Sequence, residues 1–92
     1  MAEFVLEFYA SRTDTAAVRR GARRARLAAD AVTREGTPVR YLRSIYVPED
    51  ETCFVLYEAA SSDAVQKAAA RADLTCPRVA QTLAPDGERN NE

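Results

Sequence analysis

Histidine is missing from this 92-residue chain, and its absence removes a large block of chemistry. A serine nucleophile has no imidazole to take its proton, and a cysteine has no imidazolium to hold it as a thiolate. Cysteine itself is scarce. Cys53 and Cys76 show no CxxC spacing; the spacing leaves one disulfide open, and a reducing compartment favours two free thiols. No apolar run is long enough to span a bilayer. The first residues, MAEFVLEFYA, have no basic n-region and carry Glu3 and Glu7 among the apolar ones, so they do not read as a signal peptide. A cytoplasmic location without a membrane partner is the resulting expectation. A basic excess is also lacking: the net charge is −1 and the pI about 5.5, which argues against a nucleic-acid partner.

What remains is the composition of an ordinary globular protein, 47% hydrophobic and 29% charged. Its length suits one domain with a limited core. The stretch Tyr41 to Ala59, YLRSIYVPEDETCFVLYEA, is the most informative. Two β-branched and aromatic runs, Val39 to Val47 and Thr52 to Ala59, flank a Pro-Glu-Asp-Glu turn and predict a hairpin. Before it, Glu3 to Ala10 alternates as a strand, with Phe4, Leu6 and Phe8 on one face. Thr13 and Asp14 are N-cap candidates for a helix reaching Arg34, on which Val18, Ala22, Ala25, Ala29 and Val32 form one apolar stripe. Its small residues let the helix lie close to a sheet. Gly36 and Pro38 end it.

After the hairpin, Ser61, Ser62 and Asp63 cap a second helix reaching Asp73, with Ala64, Val65, Ala68, Ala69 and Ala72 on its buried side. Leu74 to Pro77 connects to a last strand, Arg78 to Leu83. The polar end, PDGERNNE, predicts a disordered tail over 86–92 behind a domain of residues 1–85. The order βαββαβ is the ferredoxin-like signature of the α+β class: a four-stranded antiparallel sheet with two helices on one face.

In that topology strands one and three are central. With Phe4, Leu6 and Phe8 towards the helices, Glu7 and Tyr9 project from the open face. Strand three is expected to turn Phe54 and Leu56 to the helices and Cys53, Val55 and Tyr57 to the open face. For strand two the facing depends on turn length, and we place Tyr41, Arg43 and Ile45 beside Glu7. An apolar open sheet predicts a homodimer that covers it.

The strand FVLEFY, the hairpin opening Tyr41-Leu42-Arg43-Ser44, and the helix DAVQKAAARADL after Tyr57-Glu58-Ala59 resemble a family of small actinobacterial proteins of unknown function. Its best-described type is a nickel-binding protein. The resemblance runs from about Phe4 to Leu83 and implies a homodimer of the α/β-barrel kind. This chain departs from it at the residues that matter for metal. Members of the family tend to carry an aromatic, often Trp, at Tyr41 and a histidine in or near the second helix, where Ala68 stands; some have histidine at Arg43. Arginine offers no lone pair to a metal. A histidine-based nickel site does not carry over.

Candidate chemistry gathers on the expected open face. Glu7, a carboxylate in mid-strand, could act as a general base if a dimer desolvates it, or could simply pair with Arg43 or Arg40. Arg43 suits an anion clamp or an edge charge that discourages aggregation. Tyr57 joins them as a candidate catalytic group, and Tyr9, Tyr41, Ser44 and Cys53 as candidate ligand contacts; core packing is the alternative for the tyrosines and above all for Cys53. Cys53 and Cys76 would need two further ligands to hold a metal, and Glu49, Asp50 and Glu51 read as a solvated turn. No metal ligand is assigned, and the cofactor is left unknown. Arg19, Arg20, Arg23, Arg24 and Arg26 mark the solvent side of the first helix; Asp30, four residues after Arg26, can pair with it.

Two functions follow. The first is a homodimeric protein binding a small ligand or divalent metal at the sheet face. The second is a cofactor-independent isomerase, cyclase or monooxygenase acting on an aromatic or polyketide-like molecule, with Glu7 as base. Whether the protein is an enzyme stays open at this point.

Overall fold

The computed structural model describes residues 1–83; the expected tail, 86–92, lies outside the described residues. The alternating segment at the N-terminus forms β1 (Ala2–Tyr9), and α1 (Thr15–Arg34) follows. Asp14 caps α1 by accepting the Ala17 N–H at 3.1 Å, as a short acidic side chain at that position should. Gly36, at φ +103°, turns the chain out of the helix in the left-handed region. Thr33 then ties the helix end to the next strand. Its hydroxyl donates to the Val39 carbonyl and accepts the Val39 N–H, both at 2.9 Å.

The hairpin is β2 (Val39–Val47) and β3 (Thr52–Ala59), joined through a single 3₁₀ turn at Pro48–Asp50. Glu51, in the left-handed region at φ 47°, closes that turn. Next come α2 (Ser62–Ala72), capped by the Ser61 hydroxyl, and β4 (Arg78–Gln81). The sheet order is β2-β3-β1-β4, with every pair antiparallel. The ferredoxin-like architecture is therefore present, and β4 is shorter than its sequence pattern implies.

One face of the sheet carries the core. Phe4, Leu6 and Phe8 of β1 pair in register with Tyr57, Val55 and Cys53 of β3, and all six are buried under the helices. The helices answer with small residues: Ala25, Ala28, Ala29 and Val32 from α1, and Ala64, Val65, Ala68, Ala69 and Ala72 from α2. Short side chains let the helix axes approach the strands, so aromatic rings fill the space between the layers. At Gly21 the approach is tightest. A Cβ there would stand 2.4 Å from the Phe8 ring. Each large apolar side chain buried this way stabilises the fold by roughly 1.5–3 kcal/mol.

The facing expected for β3 is thus inverted: Cys53, Val55 and Tyr57 point to the helices, and Phe54 and Leu56 to the open side. For β2 the expectation holds in part. Arg43 pairs with Leu56 and Ile45 with Phe54, on the open side as expected, but Tyr41 pairs with Tyr57 on the helix side. The register shifts between Tyr41 and Arg43, a bulge in which Leu42 is the extra residue. One inserted residue moves everything beyond it to the other face.

Candidate functional site

The open face is built from rows of residues that lie side by side across the strands. One row runs Ile45, Phe54, Glu7, Arg78, one residue from each of the four strands. The next runs Arg43, Leu56, Val5, Ala80. Beyond it Arg40 meets Glu58, with an Nη1–Oε1 separation of 3.5 Å. At the other end Tyr9 lies opposite Thr52, which also pairs with Val47.

Each row therefore joins apolar neighbours, Ile45 with Phe54 in one and Leu56, Val5 and Ala80 in the other, to charge: Arg43 and Arg78 on the outer strands and Glu7 on an inner one. Val5, Phe54 and Leu56 are half-buried, whereas Ile45 and Tyr9 are exposed, at 41% and 49%. A surface of this pattern is what one partner layer would cover.

Glu7 sits inside that pattern, its side chain 25% exposed, between the Phe54 ring and Arg78. The Arg78 guanidinium donates to its Oε2 at 3.1 Å, and no described residue donates to its Oε1. The partner expected from sequence was Arg43 or Arg40. Instead Arg43 stands two strands away and one row along, and Arg40 bridges Glu58. The Glu7–Arg78 contact follows from the β1–β4 register, which the chain closes from its far end.

The seven residues singled out from the sequence are divided by the sheet. Glu7, Tyr9 and Arg43 share the open face. Tyr41, Ser44, Cys53 and Tyr57 lie on the helix face, so the two groups cannot meet one ligand from the same side. Tyr57 is fully buried, and its hydroxyl donates to the Ala25 carbonyl of α1 at 2.6 Å. Burial pushes the Tyr57 phenol up, and the neighbouring Tyr41 adds to the shift. The Tyr41 ring meets Tyr57 edge-on at 6.3 Å, and the Tyr41 and Ser44 hydroxyls share a hydrogen bond of 2.6 Å. Cys53 is buried and free, its thiol pushed up to about 11 by burial. Cys76 is a free, exposed thiol.

Phe54, Leu56 and Arg78 also belong to the open face; the first two were expected on the helix side, and Arg78 was not singled out. One signal did point to the first two. Thr52 and Glu58, the clearly polar residues of β3, share parity with Phe54 and Leu56, and a polar edge marks the solvent side of a strand. Asp30 and Arg26 do not form the expected bridge within 4.0 Å; the α1 pair that forms is Arg20 with the cap residue Asp14, at 3.6 Å.

The donor set does not suit nickel within one chain. Histidine is absent, one cysteine is buried with its proton held, and among the described residues no three of His, Cys, Asp or Glu gather around a point. Among the same residues no helix is long and apolar enough to cross a membrane.

Comparison with known proteins matches this chain at two levels. A family model described as nickel-responsive protein SCO4226-like matches residues 15–81. The crystal structure of SCO4226 from Streptomyces coelicolor A3(2) superposes with a TM-score of 0.60 at 21% identity, covering 91% of this chain and 99% of that one. This likeness supports the fold. No curated protein matches.

Proposed function

The chain belongs to the SCO4226-like family of nickel-responsive proteins, and from that premise we propose that it is a homodimeric binding protein for a small organic ligand. The open sheet faces of two copies meet and enclose the site. The observation that carries this reading is the apolar group Val5, Ile45, Phe54, Leu56 and Ala80 on the open face, with Arg43, Arg78 and the Arg40–Glu58 pair around it and Glu7 among it. Apolar surface in the centre and charge at the rim is the anatomy of an interface between copies. Phe54 and Leu56 supply ring and alkyl surface for an apolar body, and Arg43 or Arg78 a guanidinium for a carboxylate or phenolate.

Nickel is not the ligand in this reading. The chain has no histidine, and among its described residues no three ligands gather around a point, so this member is read as keeping the family fold with a different occupant. Tag-free protein, titrated with nickel in a thermal-shift assay, should show no stabilisation. A chelator-reversible rise in Tm would overturn this part, since binding to the folded state alone adds about 2.7 kcal/mol at 100 times Kd.

The dimer is tested separately, by sedimentation equilibrium of the wild type and Phe54→Glu. The wild type should sediment as a dimer and the variant as a folded monomer with unchanged circular dichroism. A wild-type monomer at tens of micromolar would sink the reading.

A second reading rests on Glu7, whose Oε1 takes no hydrogen bond from a described residue. In this reading a carboxylate with one oxygen steadied by Arg78 and the other without a described donor takes a proton from a bound aromatic or polyketide-like substrate. Glu7→Gln separates the two. Ligand binding that survives while turnover disappears would establish the enzyme; binding and dimer both unchanged, with no turnover in either protein, would leave the binding function alone.

A further inference from the structure

At the end of β1 a small cleft of about 160 Å³ opens between α1 and the chain that leaves α2. Phe8, Gly21 and Leu74 form its apolar wall, and Arg20, Arg24 and Asp73 its charged one. Each wall is held by the fold. The α1 backbone at Gly21 lies so near the Phe8 ring that no Cβ would fit between them. The Tyr9 N–H donates to the Thr75 carbonyl at 3.0 Å, which ties the loop after α2 to the end of β1. Leu74 packs against the core from that loop, and Asp73 stands at the C-terminus of α2 in the left-handed region, at φ 52°.

The charges are of both signs. Arg20 is drawn to Asp14, outside the cleft, at 3.6 Å. One cation and one anion remain, Arg24 and Asp73. Among the described residues neither makes an ion pair within 4.0 Å, with the other or with any third group. Both also line the wider groove of about 610 Å³ between α1 and α2, so they stand where cleft and groove meet.

We propose that this cleft binds a small α-amino acid as its zwitterion. The ligand's carboxylate lies on Arg24, its ammonium on Asp73, and its side chain against Leu74 and Phe8. The unmatched pair selects this class of ligand. A plain carboxylate would satisfy the guanidinium and leave Asp73 unmet, and a plain amine would do the reverse. A zwitterion answers both, with a forked donor for its carboxylate and an acceptor for its ammonium. Size limits it further. The cleft is well below the roughly 300–1,000 Å³ of pockets that hold drug-sized ligands, so its occupant is a small molecule and not a peptide segment. Only Tyr9 is common to this cleft and the open sheet face, and the proposal does not depend on the dimer.

Nitrogen–proton correlation spectra of the whole chain, titrated with L-alanine, test this. Saturable shifts of the Gly21, Leu74 and Thr75 amides are expected. Propionate lacks only the ammonium and ethylammonium only the carboxylate, and each should bind about tenfold more weakly or worse, as loss of one close charge pair should do. Arg24→Gln and Asp73→Asn should each weaken L-alanine by a similar factor. Glutamine suits a helix interior and asparagine tolerates the left-handed backbone, so both variants should keep the dispersed spectrum of the folded protein. Arg23→Gln, outside the cleft, should change nothing. No saturable shift at tens of millimolar L-alanine would overturn the proposal, as would binding that both cleft variants leave intact. Propionate binding as tightly as L-alanine would overturn it in favour of a simple anion site, and ethylammonium doing so in favour of a cation site.

Discussion

The two faces of this sheet carry similar apolar side chains and put them to different uses. On the helix side Phe8, Cys53, Val55 and Tyr57 are sealed by alanine-rich helices, and the Tyr57 hydroxyl is tied to the α1 backbone. On the open side Val5, Phe54 and Leu56 are half-buried between Ile45, Tyr9 and charged borders. Apolar content does not say which face becomes core. The face that fits a close-lying helix does, and the other stays open.

The sharpest way to break this comparison is to truncate one aromatic ring on each face. Tyr57→Ala should cost about 3–5 kcal/mol in urea unfolding, since it opens a cavity and removes a buried hydrogen bond. Phe54→Ala should cost about 1–2 kcal/mol in dilute protein, because its ring is only half-buried. Similar losses at both sites would mean that the monomer already packs both faces as core.

Next in size is an alkaline loss of stability. Burial raises the Cys53 thiol from its ordinary 9.0 to about 11, so the unfolded chain gives up this proton first. The contribution is full below pH 9 and is lost as pH rises through 11, about 2–3 kcal/mol in all. Tyr57, shifted in the same direction, adds to the fall at the upper end. Urea midpoints measured from pH 8 to 11 should decline, and Cys53→Ala should flatten the slope. An unchanged slope in that variant would show that the thiol is not sealed in the folded protein.

Gly21→Ala probes how closely helix and strand approach. Alanine favours helix by roughly 1 kcal/mol over glycine, yet the added methyl would meet the Phe8 ring. A net loss of about 1–2 kcal/mol is expected, and a gain would mean that the helical layer can shift outwards at little cost. The smallest effect belongs to the surface pair Arg71–Glu35. Arg71 lowers the Glu35 carboxyl by hydrogen bonding and charge, so its contribution is present above the ordinary carboxylate range and fades as pH falls through the lowered value. Arg71→Ala should shift Tm slightly at low salt and not at all at high salt, where such exposed pairs are screened.

Much of this molecule was legible from the chain. The element order, the Asp14 and Ser61 caps, the Gly36 exit, the alanine stripes and the inward Phe4, Leu6 and Phe8 each follow from local rules of period, capping and backbone freedom. The candidate site was legible in part: Glu7, Tyr9 and Arg43 do share the open face. Cys53 and Tyr57 were misplaced because β3 is apolar on both sides and its alternation alone does not choose a face, although Thr52 and Glu58 hinted at the answer; Tyr41 was misplaced by the register shift in β2. The bulge at Leu42 has no comparable mark.

By itself, then, the sequence determined the α+β ferredoxin-like order, the lack of histidine donors for nickel, and the charge carried by α1. These depend on residue type and on spacing within one element. Only the tertiary structure decided the facing of β3, the register shift in β2, the partnership of Glu7 with Arg78 and the groove between α1 and α2. Each of those depends on which distant residue lies opposite in the sheet or across the helical layer, and that is settled by packing the whole chain at once.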